Sequence, residues 1–384
     1  MVFYVWFWIS LRNIFTIQPA KSAQNTYFRS PENQPFYQFF LLKRITATQL
    51  FQLEPDRVLL DVRTPTEYAQ GHVPGALNLP LFSDEERAEV GTLYKQVSPE
   101  RAFLRGLDIA GAKMSWYVRE AMRLAPEKKV AIHCWRGGQR SGSLATLLSF
   151  AGFDVEVLQG GYKAYRHHVL EHFSLRKSKF VVLGGKTGSG KTEILKQLAA
   201  LGEQVIDLEK LANHKGSAFG ALGEEPQPRV EQFENNLFAE LEKMDHHHRI
   251  WVENESRSIG RVAIPAGFFE QFKAAPIVLL EVPFDERIRH LVEGYATFPK
   301  EELIESLVKI TKRMGGNNVK EALEAFEAGK VEAATAVALN YYDKTYSHST
   351  GQGNFSETIL LEVSKLDALD IASQLIILAN EHGI

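Results

Sequence analysis

Residues 179–200 read KFVVLGGKTGSGKTEILKQLAA. Phe180, Val181, Val182 and Leu183 form an apolar run of strand length, and residues 191–201 place Ile194, Leu195 and Leu198 at helical spacing. Between them, Gly185-Lys186-Thr187-Gly188-Ser189-Gly190-Lys191-Thr192 fits G-x-x-x-x-G-K-[ST] in the strand-to-helix context that this pattern requires. The backbone N–H groups of Gly188 to Lys191 are expected to cradle consecutive phosphates. Lys191 would add a point charge, and Thr192 would reach Mg²⁺. Gly185, Gly188, Ser189, Gly190, Lys191 and Thr192 are therefore the expected phosphate binders. The pattern does not name what the phosphates are attached to, and no Asn-Lys-x-Asp guanine-reading motif accompanies it.

Toward the C-terminus, residues 204–207, 249–253 and 276–282 read as further strands. Asp207, at the end of the first, and Glu253 and Glu255, after the second, are candidate acids on the Mg²⁺ side of the loop, or ordinary strand-end caps. From Lys300 onward the pattern is helical, broken at Gly315-Gly316. His246-His247-His248 cannot face one metal from one helical turn and reads as surface. No resident metal site and no tightly bound cofactor are expected beyond a transient Mg²⁺.

Toward the N-terminus, residues 57–62 (RVLLDV), 129–133 (KVAIH) and 154–158 (DVEVL) are apolar runs, and residues 141–150 have helical spacing. Alternating strands and helices imply a second parallel sheet. After the strand at 129–133 comes His133-Cys134-Trp135-Arg136-Gly137-Gly138-Gln139-Arg140-Ser141. A loop wrapping into a helix start aims successive N–H groups at one point, and Cys134 would sit there. The positive helix end, Arg136 and Arg140 favour thiolate over thiol, and Gly137 and Gly138 let the backbone turn inward. Cys134, Arg136 and Arg140 are the expected catalytic set.

Asp61-Val62-Arg63, Glu67, Gly71-His72, Pro74-Gly75-Ala76 and Asn78 resemble the front half of a rhodanese domain, with Cys134 at the persulfide position and Leu158-Gln159-Gly160-Gly161 as the closing strand and turn. One departure widens the chemistry. His-Cys-x5-Arg, from His133 to Arg140, is also the signature of cysteine phosphatases, and many sulfurtransferase loops are one residue shorter. The loop alone permits chalcogen transfer or phosphate ester hydrolysis, and it suits a chalcogen donor that is itself a phosphate. The fold class expected is α/β: a rhodanese-like parallel-sheet domain over 44–170, then a P-loop NTPase-like α/β domain with a helical C-terminal part over 171–384. Residues 1–43 would be an extension outside either domain, with a start codon assigned too early as its simplest origin.

A length of 384 residues suits two or three domains. The formal net charge of −3 excludes a globally basic nucleic-acid coat but leaves room for a local patch. One such patch is the join at 162–179, which holds Lys163, Arg166, Arg176, Lys177 and Lys179 against one acid, Glu171. A single cysteine excludes an intrachain disulfide framework and a Cys-rich zinc site, and suits a reducing compartment. The apolar run at 2–9 is too short to span a bilayer.

The pair of loops occurs with further strings: Tyr94-Lys95-Gln96, Gly160-Gly161-Tyr162-Lys163-Ala164, Asp207-Leu208-Glu209, His214-Lys215-Gly216-Ser217-Ala218-Phe219-Gly220, Phe233-Glu234-Asn235, Trp251-Val252-Glu253, Glu255-Ser256-Arg257 and Tyr341-Tyr342-Asp343. Together they resemble the tRNA 2-selenouridine synthase family over about 45–346. The resemblance implies a cytoplasmic transferase acting on wobble 2-thiouridine in tRNA. It would first geranylate the sulfur with geranyl diphosphate and then replace the geranylthio group with selenium from selenophosphate. Lys163, Arg166, Arg176 and Lys177 would contact the tRNA backbone, with Tyr162 or Tyr165 stacking on a base or packed in the core. Lys309, Lys312 and Arg313 are weaker phosphate candidates. The competing readings are a rhodanese-type sulfurtransferase or cysteine phosphatase fused to a P-loop kinase, or a tRNA- or nucleotide-sensing module without catalysis.

Overall fold

Strands of a parallel sheet bury both faces, so they read as continuous apolar runs rather than alternating ones. The computed structural model, which describes residues 42–217, 219–295, 298–350 and 355–384, places a strand at every such run. The N-terminal sheet comprises β1 (Lys43–Ile45), β2 (Val58–Asp61), β3 (Leu77–Asn78), β4 (Lys129–His133) and β5 (Asp154–Leu158), in the order β1-β5-β4-β2-β3, all parallel. Its helices are α1 (Pro65–Gln70), α2 (Asp84–Gln96), α3 (Pro99–Ala112), α4 (Met114–Leu124), α5 (Gln139–Phe150) and α6 (Gly161–Leu175). Thr64 and Ser83 start α1 and α2 through reciprocal capping boxes with Glu67 and Glu86.

The second sheet contains β6 (Lys179–Gly185), β7 (Gln204–Ile206), β8 (Arg249–Glu253), β11 (Ile277–Glu281) and β12 (Thr358–Glu362), in the order β12-β11-β6-β8-β7, again all parallel. A small antiparallel pair, β9 (Ser258–Ile259) and β10 (Val262–Ala263), follows β8. The helices here are α7 (Lys191–Ala200), α8 (Leu208–Ala212), α9 (Val230–Leu241), α10 (Ala266–Lys273), α11 (Phe284–Tyr295), α12 (Lys300–Lys309), α13 (Thr311–Met314), α14 (Gly316–Glu327), α15 (Val331–Thr350) and α16 (Ala368–His382).

Three expectations need correction. The segment after Lys300 is not helical throughout: residues 358–362 form β12, an edge strand paired with β11. Lys43 is not extension but the first residue of β1, whose partner is β5. The border drawn between 170 and 171 falls inside α6. The apolar run at 2–9 lies outside the described residues. Among the described residues, no helix is long and apolar enough to cross a membrane.

Topology puts a loop of interest at each carboxyl edge. From β2 the chain moves one way to β3 and the other way to β4. From β6 it moves one way to β8 and β7 and the other way to β11 and β12. Ligands of open α/β sheets sit where the strand order reverses in this manner. Residues 43–384 form one compact unit. A single apolar cluster runs from Ile45, Leu158, Tyr165 and Phe173 to Phe180, Phe238 and Phe268, so α6 is buried against both sheets.

Candidate active site

The Cys134 loop leaves β4 and enters α5. Cys134 is buried, at 4% exposure, and its Sγ lies 3.3 Å from the Ser141 hydroxyl. Burial opposes ionisation. The Ser141 hydroxyl and the backbone N–H groups of Ser141, Arg136 and Gly138 outweigh it and hold the thiol below its usual range. Three backbone N–H groups and one hydroxyl thus act on the sulfur. Gly137 is the glycine that the loop requires: at φ +64° its Cβ would stand 2.7 Å from the Leu158 carbonyl oxygen. Gly138 has open space around it and a negative φ.

The two arginines of the loop differ. Arg136 is exposed. Arg140 is gripped in a fork by Glu67, at 2.6 and 3.1 Å, so its charge is balanced by a carboxylate from α1. Next to the loop, Arg63 and Asp61 form a buried pair at 2.6 Å, and the Arg63 guanidinium stacks 3.8 Å from the Tyr162 ring centroid. The start of α6 braces the loop from behind. Tyr162 N–H donates to the Cys134 carbonyl at 2.9 Å and Lys163 N–H donates to that of Trp135 at 3.0 Å. A Cβ on Gly161, at φ +61°, would overlap the Cys134 carbonyl oxygen.

The second loop leaves β6 and enters α7. Gly188 and Gly190 adopt φ +82° and +70°, and Lys191 Nζ donates to the Gly185 carbonyl at 3.1 Å. Thr192 Oγ1 lies 3.2 Å from Glu209 Oε2, and Glu209 N–H donates to Glu253 Oε1 at 2.8 Å. Glu209 and Glu255 both face Gly216, and Asp207 caps α8 by accepting from Lys210 N–H at 2.8 Å. Burial, then mutual repulsion, raises these carboxyls: Asp207 and Glu209 upward, Glu253 well above the carboxylate range, and Glu255 to about 7. Glu253 Oε2 is buried without a hydrogen-bond partner. Such a cluster is short of positive charge.

Among the described residues, no three His, Cys, Asp or Glu side chains converge as a metal cage. Mg²⁺ does not need one, because it is commonly held by one or two carboxylates with waters and phosphate oxygens. Thr192, Glu209 and the unpartnered oxygen of Glu253 fit that donor set.

The seam between the sheets departs from expectation. Arg166 pairs with Glu234 and donates to Asn235 Oδ1 at 2.5 Å, both on α9. Arg176 pairs with Glu242 at 2.8 Å. Arg166 is spent on the α6–α9 contact, not held out for RNA, while Arg176, exposed in its pair, Lys163 and Lys177 remain at the surface. Tyr162 and Tyr165 are fully buried, so neither ring is available for stacking on a base. The Tyr162 hydroxyl instead donates to Glu231 at 2.8 Å and accepts from Asn235 Nδ2 at 2.8 Å. His247 and His248 are exposed as expected, but His246 is half-buried and meets Ser178 Oγ at 2.7 Å.

Two family models match the chain: a rhodanese-like domain over residues 46–168 and a tRNA 2-selenouridine synthase AAA domain over 178–373, just over half of the sequence. The chain belongs to the tRNA 2-selenouridine synthase family. A protein of that name from Shewanella denitrificans is 35% identical over 331 residues, covering 77% of this chain and 89% of the relative. One from Bdellovibrio bacteriovorus is 40% identical over 268 residues, 66% of this chain and 69% of the relative. One from Sulfurovum sp. is 37% identical over 310 residues, 74% and 83%.

In this member of the tRNA 2-selenouridine synthase family, three residues stand inside the quoted motifs without a role drawn from the sequence: Glu67, Ser141 and Glu209. Glu67 had a signal, since Thr64-Pro65-Thr66-Glu67 is a capping box that fixes its backbone. Glu209 had only its place two residues after the strand-end Asp207.

Proposed function

We propose that the chain exchanges sulfur for selenium at the wobble 2-thiouridine of tRNA, using the two loops in succession. The observation that carries this reading is a thiolate nest and a phosphate-gripping loop at the carboxyl edges of two sheets in one compact unit, in a chain of this family.

In the first step the thiouridine sulfur attacks C1 of geranyl diphosphate. The S–C bond forms, the C–O bond breaks, diphosphate departs with the electron pair, and the N3 proton passes to solvent. The N–H groups of Gly188 to Lys191 and the Lys191 ammonium stabilise the departing charge. Mg²⁺, when held by Thr192, Glu209 and Glu253, supplies further neutralisation of the diphosphate. In the second step selenium from selenophosphate attacks C2 of the base, geranylthiolate leaves with its electron pair, and water cleaves the P–Se bond to give phosphate. Alkylation makes the sulfur a better leaving group, so the first step prepares the second. The N–H cradle around Cys134 suits the tetrahedral donor. Its lowered thiol makes Cys134 the group placed to engage that donor, and a free thiol fits a cytoplasmic enzyme.

The clamp of Glu67 on Arg140 uses two of the five guanidinium N–H donors and leaves the others for a tetrahedral anion, so the phosphatase reading is separated from chalcogen transfer by experiment. The test is incubation with 2-thiouridine tRNA followed by nucleoside mass spectrometry. Geranyl diphosphate alone should give S-geranyl-2-thiouridine, and added selenophosphate should give 2-selenouridine. Cys134→Ser should accumulate the geranylated nucleoside. Unchanged tRNA beside hydrolysis of an aryl phosphate would replace this reading with the phosphatase one.

A further inference from the structure

With Arg166 committed to α9 and both seam tyrosines buried, the tRNA needs another purchase. We propose that the groove between α13, α14 and α15 seats an unpaired nucleotide of the tRNA. The proposal rests on the reading above and adds the surface that grips the RNA.

The groove has a volume of about 740 Å³. Small-ligand sites run from about 300 to 1,000 Å³, so it has room for a nucleotide and part of its neighbour. Its lining joins three chemistries that a nucleotide uses together. Tyr341 brings an aromatic ring to the wall, seated on the apolar cluster of Leu307, Met314 and Ala338 and edge-on to Tyr342, as a platform for a base. Asn318 and Asn340 offer side-chain amides that match base edges. The Asn318 amide nitrogen donates to the Met314 carbonyl at 2.8 Å, which fixes the side chain and leaves its oxygen as an acceptor. Arg313 and Lys344 bring positive charge for the backbone phosphate. Glu321, also on the wall, can accept from a base amino group. Met314 and Val337 add apolar surface beside the ring, but a prenyl chain would leave Arg313, Glu321, Lys344 and two asparagines facing it without partners. A bare anion would have no use for the ring and the amides.

Charge and position agree with this assignment. Residues 309–320 carry Lys309, Lys312, Arg313 and Lys320 with no acid among them. Glu305 and Glu324 hold Lys309 and Lys320, at 3.1 and 3.7 Å, whereas Arg313 is exposed at the groove. The α15 wall is also tied to the phosphate loop. Asp343, next to Lys344, grips Arg287 at 2.8 and 2.7 Å, and Arg287 donates to the Thr187 carbonyl at 3.2 Å. The helix that forms one wall of the groove is therefore anchored to the loop that would hold the diphosphate.

The test is fluorescence anisotropy of labelled full-length tRNA transcript, titrated with wild-type protein, Arg313→Glu and Asn340→Ala over a range of salt. Both substitutions are at exposed positions, and circular dichroism checks that each variant is folded. Arg313→Glu should weaken binding about tenfold or more and reduce the slope of log K against log salt by about one phosphate contact. Asn340→Ala should weaken it several-fold at an unchanged slope. Wild-type affinity and slope in both variants would overturn the groove while leaving the proposed reaction standing. So would a loss confined to geranyl diphosphate, measured by calorimetry. Failure of the wild-type protein to bind tRNA more tightly than a DNA duplex of equal length would overturn both.

Discussion

The two loops share a plan and differ in how their charge is settled. Each follows a central strand, turns through a left-handed glycine and ends in a helix start. Around Cys134 the protein supplies its own anion and its own counter-charges: N–H groups meet the sulfur, and Glu67 neutralises Arg140. Around Lys191 the balance is left open. Glu209, Glu253 and Glu255 sit close enough to raise one another even with Lys191, Lys215 and Lys273 nearby. The first site is complete as a folded object. The second keeps raised carboxyls that its own cations do not fully balance.

The contrast can be broken most severely at Lys191. Lys191→Ala should lower geranylation about 10²-fold or more, since a pre-placed cation at a leaving group is worth several kcal/mol. It should leave the Cys134 titration unmoved. Absorbance at 240 nm reads that titration alone, because the chain has one cysteine. A parallel change in both measurements would mean that the loops are not separate devices.

Next in size is the seam. Arg166→Ala strands Glu234 and Asn235 in a mostly buried contact and should cost about 2 kcal/mol in urea unfolding, after discounting for partial solvent access. Arg176→Ala, at an exposed pair, should stay within about 0.5 kcal/mol. Equal effects would contradict the assignment of Arg166 to the α6–α9 contact.

Smaller effects sharpen the comparison from each side. Ser141→Ala removes one group that favours the thiolate and should move the Cys134 pKa upward in the same absorbance titration. Glu253→Gln should do the opposite kind of thing at the other loop. A carboxyl raised in the folded state binds its proton there after the unfolded chain has released it. Its stability contribution is therefore whole below about 4.5 and is lost as pH rises through the folded value. The glutamine, which keeps the acceptor for Glu209 N–H, should stabilise the protein by about 1 kcal/mol at pH 8 and by nothing at pH 4. A gain independent of pH would point to packing instead.

What could be read from the residues follows from which forces are local. The buried parallel strands were plain because both faces exclude water. β12 hid because it is an edge strand: Thr358–Glu362 alternates exposure and follows a polar stretch, so it lacks the signature of its neighbours. β1 is three residues beginning Lys43-Arg44 and exists only because β5 offers it a ladder. Both glycine-rich loops were legible, since their turn chemistry is written in consecutive residues. The roles of Arg166 and Arg140 were not. A count of cations says nothing about acids that meet them only after folding, and Glu234 and Glu67 lie far away in sequence.

The shared helix has a practical consequence for anyone wishing to dissect the molecule. Tyr165, Val169 and Phe173 of α6 are covered in part by Phe238 and Phe268 from the far side. A fragment ending near residue 177 would present that ribbon of rings to water and would be prone to clump, while its complement would carry the matching scar. Polypeptides cut there should be soluble only when produced together, so complementation in trans is a more promising experiment than purification of either piece.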